Sequence, residues 1–324
     1  MGPPKKMHKV AIIEKIHQDG INLLKNNSAF EFEIIEDVSE ENLIKVLPNF
    51  DACTLRVSKL NEKILSYCKN LKVISRHGVG YDNVDLNYIK KRKITLLITA
   101  TANAVAVAEH VLSMFLALSK SIIKYDQEVR DGNFKDNSKK IQTFELLNKN
   151  ILIAGFGRIG KKLISRCLAF DAKVFVYDPY VDEKIINEYG GSKVNSIDEG
   201  LKIADYVSLH MPLSKETKNL LNYSAFKNMK KNSIIVNTAR GGIINEPDLD
   251  KALNEKLIFG AALDVFSNEP VEKNNPLLRN DKVILSPHSA TFTDECTSRM
   301  GKETIKNIID FFEKKLDKSM IVKV

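Results

Sequence analysis

The sequence predicts an α/β chain built as two parallel-sheet layers. Three observations lead there. Short apolar runs recur along the chain and alternate with helix-like stretches. A second series of the same kind begins after a polar, turn-rich connector at residues 130–149. The length, 324 residues, corresponds to about two domains of roughly 150 residues each.

The first series reads as strands at Val10–Ile13, Phe30–Ile35, Ala52–Val57, Leu71–Ser75 and Thr95–Ile98. Helical stretches fall between them at His17–Lys25, Glu40–Leu47, Asn61–Cys68 and Leu86–Lys91. One long helix is expected from Asn103 to Val129, and a short one near Glu145 inside the connector. The second series places strands at Ile151–Ala154, Lys173–Tyr177, Tyr206–Leu209, Ser233–Asn237, Gly260–Val265 and Val283–Ser286. Helices fit between them, for instance Ile159–Phe170 and Glu246–Glu255, and Thr297–Phe312 ends the chain on a helix.

Composition excludes several classes. With 44% hydrophobic and 28% charged residues, 15 Gly and 9 Pro, the chain is neither collagen-like, mucin-like nor wholly disordered. The net charge of +8 is spread along the chain, in pairs such as Lys139-Lys140 and Lys314-Lys315. It reads as a solvated surface able to help recruit a small acid, and nucleic acid is not an expected partner. Met1–Lys6 holds no apolar core and reads as a frayed leader. Val105–Ile123 is too polar for a membrane span. No membrane partner and a cytoplasmic setting are therefore expected. Cys53, Cys68, Cys167 and Cys296 are scattered, which suits a reducing compartment, and no His or Cys spacing suggests a metal.

The sharpest motif runs Ile151-Leu152-Ile153-Ala154-Gly155-Phe156-Gly157-Arg158-Ile159-Gly160. GxGxxG alone is weak, but here it follows a strand, opens a helix and precedes a strand ending at Asp178. Gly155 permits the tight turn, Gly157 lets backbone approach a pyrophosphate, and Gly160 lets helix and strand pack. The helix N-terminus, with Arg158 and Ile159, then faces negative charge. Asp178 would accept from ribose hydroxyls and repel a 2′-phosphate. The cofactor expected is NAD rather than NADP, in a Rossmann-like domain.

Three polar residues follow strand ends in the second series: Arg240, Glu269 and His288. In an open parallel sheet such positions meet at the ligand crevice. An imidazole moves a proton near neutral pH, a carboxylate behind it raises its pKa, and an arginine grips a carboxylate or carbonyl. With a nicotinamide this is hydride chemistry between an alcohol and a carbonyl. The residues alone leave surface or structural pairing open. Asn237 and Thr238 could orient the cofactor and Asp264 could accept from its amide; each could equally cap a local turn.

The first series has its own glycine loop, Ser75-Arg76-His77-Gly78-Val79-Gly80. Such a turn can expose successive N–H groups to an anion. Arg76, and Arg56 on the preceding strand, could bind a second anion, or be solvated side chains of a plain turn. His8 and His17 read as surface residues, His110 as a packing or capping residue, and His210 with Pro212 as a wall near the cofactor.

These motifs together resemble the D-isomer-specific 2-hydroxyacid dehydrogenases. The resemblance runs from about residue 50 to 300. It rests on Arg76-His77-Gly78-Val79-Gly80-Tyr81-Asp82-Asn83-Val84-Asp85, Val107-Ala108-Glu109-His110, the glycine turn, His210-Met211-Pro212-Leu213 with Thr217, Asn237-Thr238-Ala239-Arg240-Gly241-Gly242, Leu263-Asp264-Val265-Phe266, Glu269-Pro270 and Pro287-His288.

The resemblance implies a flavodoxin-like substrate domain at 1–102, completed by 293–324, and an inserted NAD-binding Rossmann domain at 103–292. It implies His288 as acid/base, Glu269 as its partner and Arg240 on the substrate. Gly78, Val79 and Gly80 would hold the carboxylate. Asp178, His210, Pro212, Thr217, Thr238, Ala239 and Asp264 would border the cofactor. A homodimer is implied, formed through the cofactor domain and the helix around Glu109. Arg56, Arg76 and Asn83 favour a phosphorylated 2-hydroxy acid, the phosphoglycerate branch, over glyoxylate, hydroxypyruvate or lactate. A noncatalytic, NAD-sensing corepressor-like protein is the other class, disfavoured because Arg240, Glu269 and His288 are all present. The family's connector tryptophan is replaced by Phe134, its valine-aspartate-glutamate by Ile244-Asn245-Glu246, and residues 135–150 depart most. Because the chain stops at Val324, no C-terminal regulatory domain is expected.

Overall fold

The computed structural model describes residues 7–134 and 141–323. The proposed leader and the Lys139-Lys140 pair lie outside them. The chain forms two units, 1–103 with 292–324, and 104–291.

In chain order the first unit opens with β1 (His8–Ile13), α1 (Gln18–Lys25), β2 (Phe30–Ile35), α2 (Glu40–Val46), β3 (Ala52–Leu55), α3 (Glu62–Tyr67), β4 (Val73–Arg76), α4 (Leu86–Arg92) and β5 (Thr95–Leu97). The second holds α5 (Ala104–Ser119), α6 (Ile122–Arg130), β6 (Asn150–Ala154), α7 (Arg158–Leu168), β7 (Lys173–Tyr177), α8 (Glu183–Glu188), β8 (Ser192–Lys193), α9 (Ile197–Ile203), β9 (Tyr206–Leu209), α10 (Tyr223–Lys227), β10 (Ile234–Asn237), α11 (Glu246–Asn254), β11 (Gly260–Leu263) and β12 (Val283–Leu285). Helix α12 (Asp294–Phe312) completes the first unit.

The first sheet is parallel, in the order β2-β1-β3-β4-β5. That is the flavodoxin-like order. Its inner strands are largely apolar on both faces because helices cover both, whereas the edge strand β2 alternates. Ala11, Ile13, Cys53, Leu55 and Ile74 pack with Leu43, Ile64 and Ile89 from α2, α3 and α4. Val10, Ile12, Ala52 and Val73 pack with Ile21 and Leu24 of α1 and Ile305 and Ile308 of α12. Polar bonds tie α12 to the same sheet: Ser75 Oγ donates to Thr304 O at 2.8 Å and Asn307 Nδ2 to Ile98 O at 3.1 Å.

The second sheet runs β12-β11-β10-β9-β6-β7-β8, again parallel. The order reverses on either side of β6, the Rossmann arrangement, which opens a crevice beyond the ends of β6 and β9. Alternation along β6 splits the core. Ile151 and Ile153 face Phe115 of α5 and Leu163 of α7, whereas Leu152 and Ala154 face Leu201, Phe226 and Leu249 from α9, α10 and α11.

Two expected elements differ. The long helix at 103–129 is two helices, α5 and α6, bent by 56°. Ser121 between them takes the left-handed conformation with φ +50°. Most apolar residues of α5 are buried, whereas α6 buries no residue, so no packing holds a common axis. The helix near Glu145 is absent, because residues 141–149 are irregular. Their backbone groups are taken elsewhere: Phe144 N donates to Ser119 O at 2.7 Å, and Glu145 O accepts from the Tyr206 hydroxyl at 3.3 Å. Among the described residues no single helix is long and apolar enough to cross a membrane.

Candidate active site

The glycine turn closes at the end of β6. Gly155 has φ +100° and donates its N–H to Tyr177 O at 2.8 Å. A Cβ there would lie 2.7 Å from His210 O, and one at Gly160 would lie 2.5 Å from Gly155 O. A Cβ at Gly157, by contrast, would meet nothing within 4 Å. Gly157 is also the N-cap of α7 and brings no capping side chain, so the first-turn N–H groups stay open to an anion. Arg158 is exposed in that turn and Ile159 half-buried. Asp178 accepts from Phe156 N at 2.7 Å and Tyr180 N at 2.9 Å, which sets its carboxylate on the lip of the turn.

Among the described residues two buried polar atoms take no partner just beyond the adjacent strands β9 and β10: His210 Nδ1 and Thr238 Oγ1. Burial pushes the His210 imidazole down to about 3, so the ring is neutral; its Nε2 lies 2.8 Å from Ser208 Oγ. Orphans of this kind are costly unless a ligand meets them. With the open cradle at Gly157 they fit a dinucleotide. Ala239 N donates to Asn237 Oδ1 at 3.0 Å. Thr217 does not present its hydroxyl. Oγ1 donates to Pro212 O at 2.7 Å and accepts from Ser214 N at 2.7 Å, so it closes the turn that carries Pro212.

Strand ends β10, β11 and β12 carry the three chemical residues. Asn237 Nδ2 donates to Arg240 O at 2.8 Å and Arg240 Nη1 to Ala239 O at 2.7 Å, which folds this loop tightly. Glu269 accepts from Phe266 N at 3.0 Å through Oε1 and meets His288 Nδ1 at 2.8 Å through Oε2. The Glu269 hydrogen bond lifts the imidazole above its ordinary 6.5, against burial and the nearby Arg240 charge. Burial pushes the Glu269 carboxyl up, yet the bonds from His288 and Phe266 N hold it below 4.5. With Nδ1–H given to Glu269, Nε2 is the nitrogen left to meet a substrate.

His288 stands in a left-handed backbone conformation, φ +53°. Such a residue needs its surroundings to hold it. Asp264 does so from beneath. Its side chain is buried and accepts from Ser286 Oγ at 2.6 Å, Ser289 N at 2.7 Å and Ala290 N at 3.0 Å. Both Asp264 oxygens thus hold the loop that bears His288, Oδ1 accepting from Ser286 and Ser289 and Oδ2 from Ala290 N.

In the first unit, Arg76 is bonded to backbone carbonyls. Its Nε donates to Gly80 O at 2.6 Å and its Nη1 to Leu55 O at 2.6 Å and to Arg56 O. These bonds brace the glycine loop from within through Nε and Nη1. Arg56 commits Nη1 to Lys15 O at 2.9 Å, and among the described residues its Nε and Nη2 take no protein partner. The N–H groups of Gly78, Val79 and Gly80 make no backbone bond among the described residues, while Gly78 O accepts from Thr99 N at 3.0 Å. His77 Nε2 is buried with no partner among the described residues, and burial, with Arg56 and Arg76, pushes the ring down to about 4.

The model of the D-isomer specific 2-hydroxyacid dehydrogenase NAD binding domain matches residues 112–290. The chain belongs to this dehydrogenase family. It is 34% identical over 303 residues to D-3-phosphoglycerate dehydrogenase of Archaeoglobus fulgidus, covering 93% of this chain but 57% of that protein. The chain thus spans little more than half the length of that relative. Hydroxypyruvate reductase of Thermotoga maritima is 33% identical over 305 residues, covering 93% of this chain and 97% of that one. Among solved structures, D-lactate dehydrogenase of Aquifex aeolicus, complexed with NAD and lactic acid, matches with a TM-score of 0.84 at 30% identity over 97% of this chain and 98% of that chain.

Members of the D-2-hydroxyacid dehydrogenase family use NAD and act on the CH–OH group of their donors. In this member the residues missed in the sequence are the supports. Ser286 and Ser289 flank Pro287-His288, and a small polar residue beside a strand end was their only signal. His110 Nε2 lies 3.1 Å from Ser286 Oγ, a contact no spacing announces. Among the described residues no group of three or more His, Cys, Asp or Glu could hold a metal ion.

Proposed function

We propose that this chain interconverts a D-2-hydroxy acid and its 2-keto acid, with His288 as acid/base. The observation that carries the reading is the His288 Nδ1–Glu269 Oε2 contact of 2.8 Å, which leaves Nε2 as the proton carrier. In oxidation, Nε2 takes the proton of the substrate hydroxyl while the α-carbon loses hydride. Bound NAD supplies the hydride acceptor. Glu269 stabilises the imidazolium so formed, and Arg240 holds the substrate carboxylate and polarises its oxygen. In reduction the same proton returns to the keto oxygen. The N–H groups of Gly78, Val79 and Gly80 would receive the carboxylate.

D-3-phosphoglycerate, giving 3-phosphohydroxypyruvate at the entry to serine synthesis, is the substrate we favour, with Arg56 as the cation for its phosphate. A small unphosphorylated acid such as glycerate or glyoxylate is the second reading, because Arg76 Nε and Nη1 bond backbone carbonyls. The exposed Ile122, Ile123 and Val129 of α6 offer a face for a homodimer. Four buried free thiols suit a reducing, cytoplasmic setting.

Initial-rate NADH formation at alkaline pH tests the reading. D-3-phosphoglycerate is compared with D-lactate, D-glycerate and their L-isomers, with NADP as control. An NAD-dependent rate selective for D-3-phosphoglycerate supports the favoured substrate. Turnover of an unphosphorylated D-acid alone moves it to the second reading. No turnover of any D-acid overturns the enzyme.

A further inference from the structure

His110, on α5, is absorbed by none of the chemistry above. Its Nε2 lies 3.1 Å from Ser286 Oγ and 3.7 Å from Asp264 Oδ1. The Ser286 hydroxyl has one proton, and its 2.6 Å bond to Asp264 Oδ1 uses it. Ser286 Oγ can therefore only accept from the imidazole, which assigns the proton of His110 to Nε2. The result is a directed chain: His110 Nε2–H to Ser286 Oγ–H to the Asp264 carboxylate. That carboxylate in turn receives Ser289 N at 2.7 Å and Ala290 N at 3.0 Å, so its bonds bracket His288 on both sides.

A buried carboxylate is stable only while its acceptor sites are filled. Each donor in such a chain polarises the next. Without the Nε2–H of His110, the Ser286 hydroxyl can turn to another acceptor and Asp264 loses its shortest bond. The loop holding His288 at φ +53° then has less to keep it there. We propose that His110 is a positioning residue: through Ser286 and Asp264 it holds the His288 ring on Glu269, in register for proton transfer. The proposal rests on the reading of His288 as the acid/base.

The groups that bear on His288 electrostatically are Glu269, Asp264 and Arg240. Its titration is therefore a report on whether the ring stays on Glu269. The experiment compares His110→Phe, Ser286→Ala and His110→Gln with the wild type, since a glutamine amide can still donate to Ser286 Oγ. The first readout is the histidine-ring NMR titration of the unliganded protein, with His288→Ala assigning the resonance. His110→Phe and Ser286→Ala should bring the His288 titration down toward 6.5, and His110→Gln should restore it. The second readout is steady-state kinetics on whichever D-acid is turned over. The Phe and Ala variants should lose about five- to tenfold in kcat, the worth of one hydrogen bond, with KM changed by less than about twofold. An unchanged His288 titration in both the Phe and Ala variants overturns the proposal, as does an equal loss in the Gln variant. If His288→Ala itself keeps full turnover, the acid/base reading fails instead, and the two failures are told apart.

Discussion

His288 Nδ1 and Glu269 Oε2 lie 2.8 Å apart, and the pair moves both groups in opposite directions: the imidazole above 6.5, the carboxyl below 4.5. Oxidation needs the neutral imidazole, so its rate should rise with pH through a limb above 6.5. Reduction needs the imidazolium and should fall through the same limb. Glu269→Gln removes the charge that raises it. The limb should move toward 6.5, with kcat for oxidation lowered by about 10²-fold or more near neutral pH. A pH–rate series in both directions checks this. The His288 share of the pair's stability is full below 6.5 and lost as pH rises through the raised value. The Glu269 share is present above 4.5 and lost as pH falls through the lowered value. Wild type and variant should therefore differ most in unfolding midpoint between those limits.

Gly157 and Gly160 should fail differently. Gly160→Ala forces a Cβ to 2.5 Å from Gly155 O, an overpacking that costs about 1–3 kcal/mol. Thermal unfolding should shift down by several degrees. Gly157→Ala meets nothing within 4 Å among the described residues and loses only the glycine N-cap, so its Tm should fall less. Its methyl sits where backbone must approach pyrophosphate, so NADH affinity should fall by about tenfold or more. Calorimetry and NADH titration on both variants separate the two effects.

Asp178 is held by Phe156 N and Tyr180 N on the lip of the glycine turn. Asp178→Asn removes the charge that repels a 2′-phosphate and one acceptor for the ribose. NADH affinity should drop about tenfold and the preference for NAD over NADP should narrow by at least as much. Paired titrations with NADH and NADPH measure it.

The two arginines of the first unit should part company. Arg76→Gln removes internal bonds to Leu55 O and Gly80 O. It should cost about 1–3 kcal/mol and raise KM for every acid alike. Arg56→Gln should leave stability near wild type and raise KM about tenfold only for a phosphorylated acid. Equal effects of Arg56→Gln on D-3-phosphoglycerate and D-glycerate would remove the phosphate role.

Much of this was legible in the sequence, and what was not has physical reasons. Strand-length apolar runs bounded by turn residues marked both parallel sheets, because a strand covered on both faces must be apolar throughout. GxGxxG was legible because close backbone approach permits little else. The break at Ser121 was not. Ser119, Lys120 and Ser121 look helical to a periodicity reading, and only the loss of packing beyond α5 explains the bend. The short β8 at Ser192–Lys193 has too few residues to carry a pattern. In the candidate site, Arg240, Glu269 and His288 stood out as polar residues beyond strand ends. The supports did not, because most groups that Arg76 and Asp264 bond lie far along the chain. A one-dimensional reading cannot tell a charge aimed outward from one folded back on its own loop.

Proton transfer by His288 and cofactor binding by the glycine turn should be separable. Steady-state turnover by His288→Ala, on the D-acid the wild type oxidises, tests it most directly when NADH binding is followed in the same preparation. The chain has no tryptophan, so the emission of NADH itself reports binding. Turnover should fall by about 10²- to 10⁴-fold with the NADH dissociation constant unchanged. Turnover within a few-fold of wild type would exclude His288 as the acid/base.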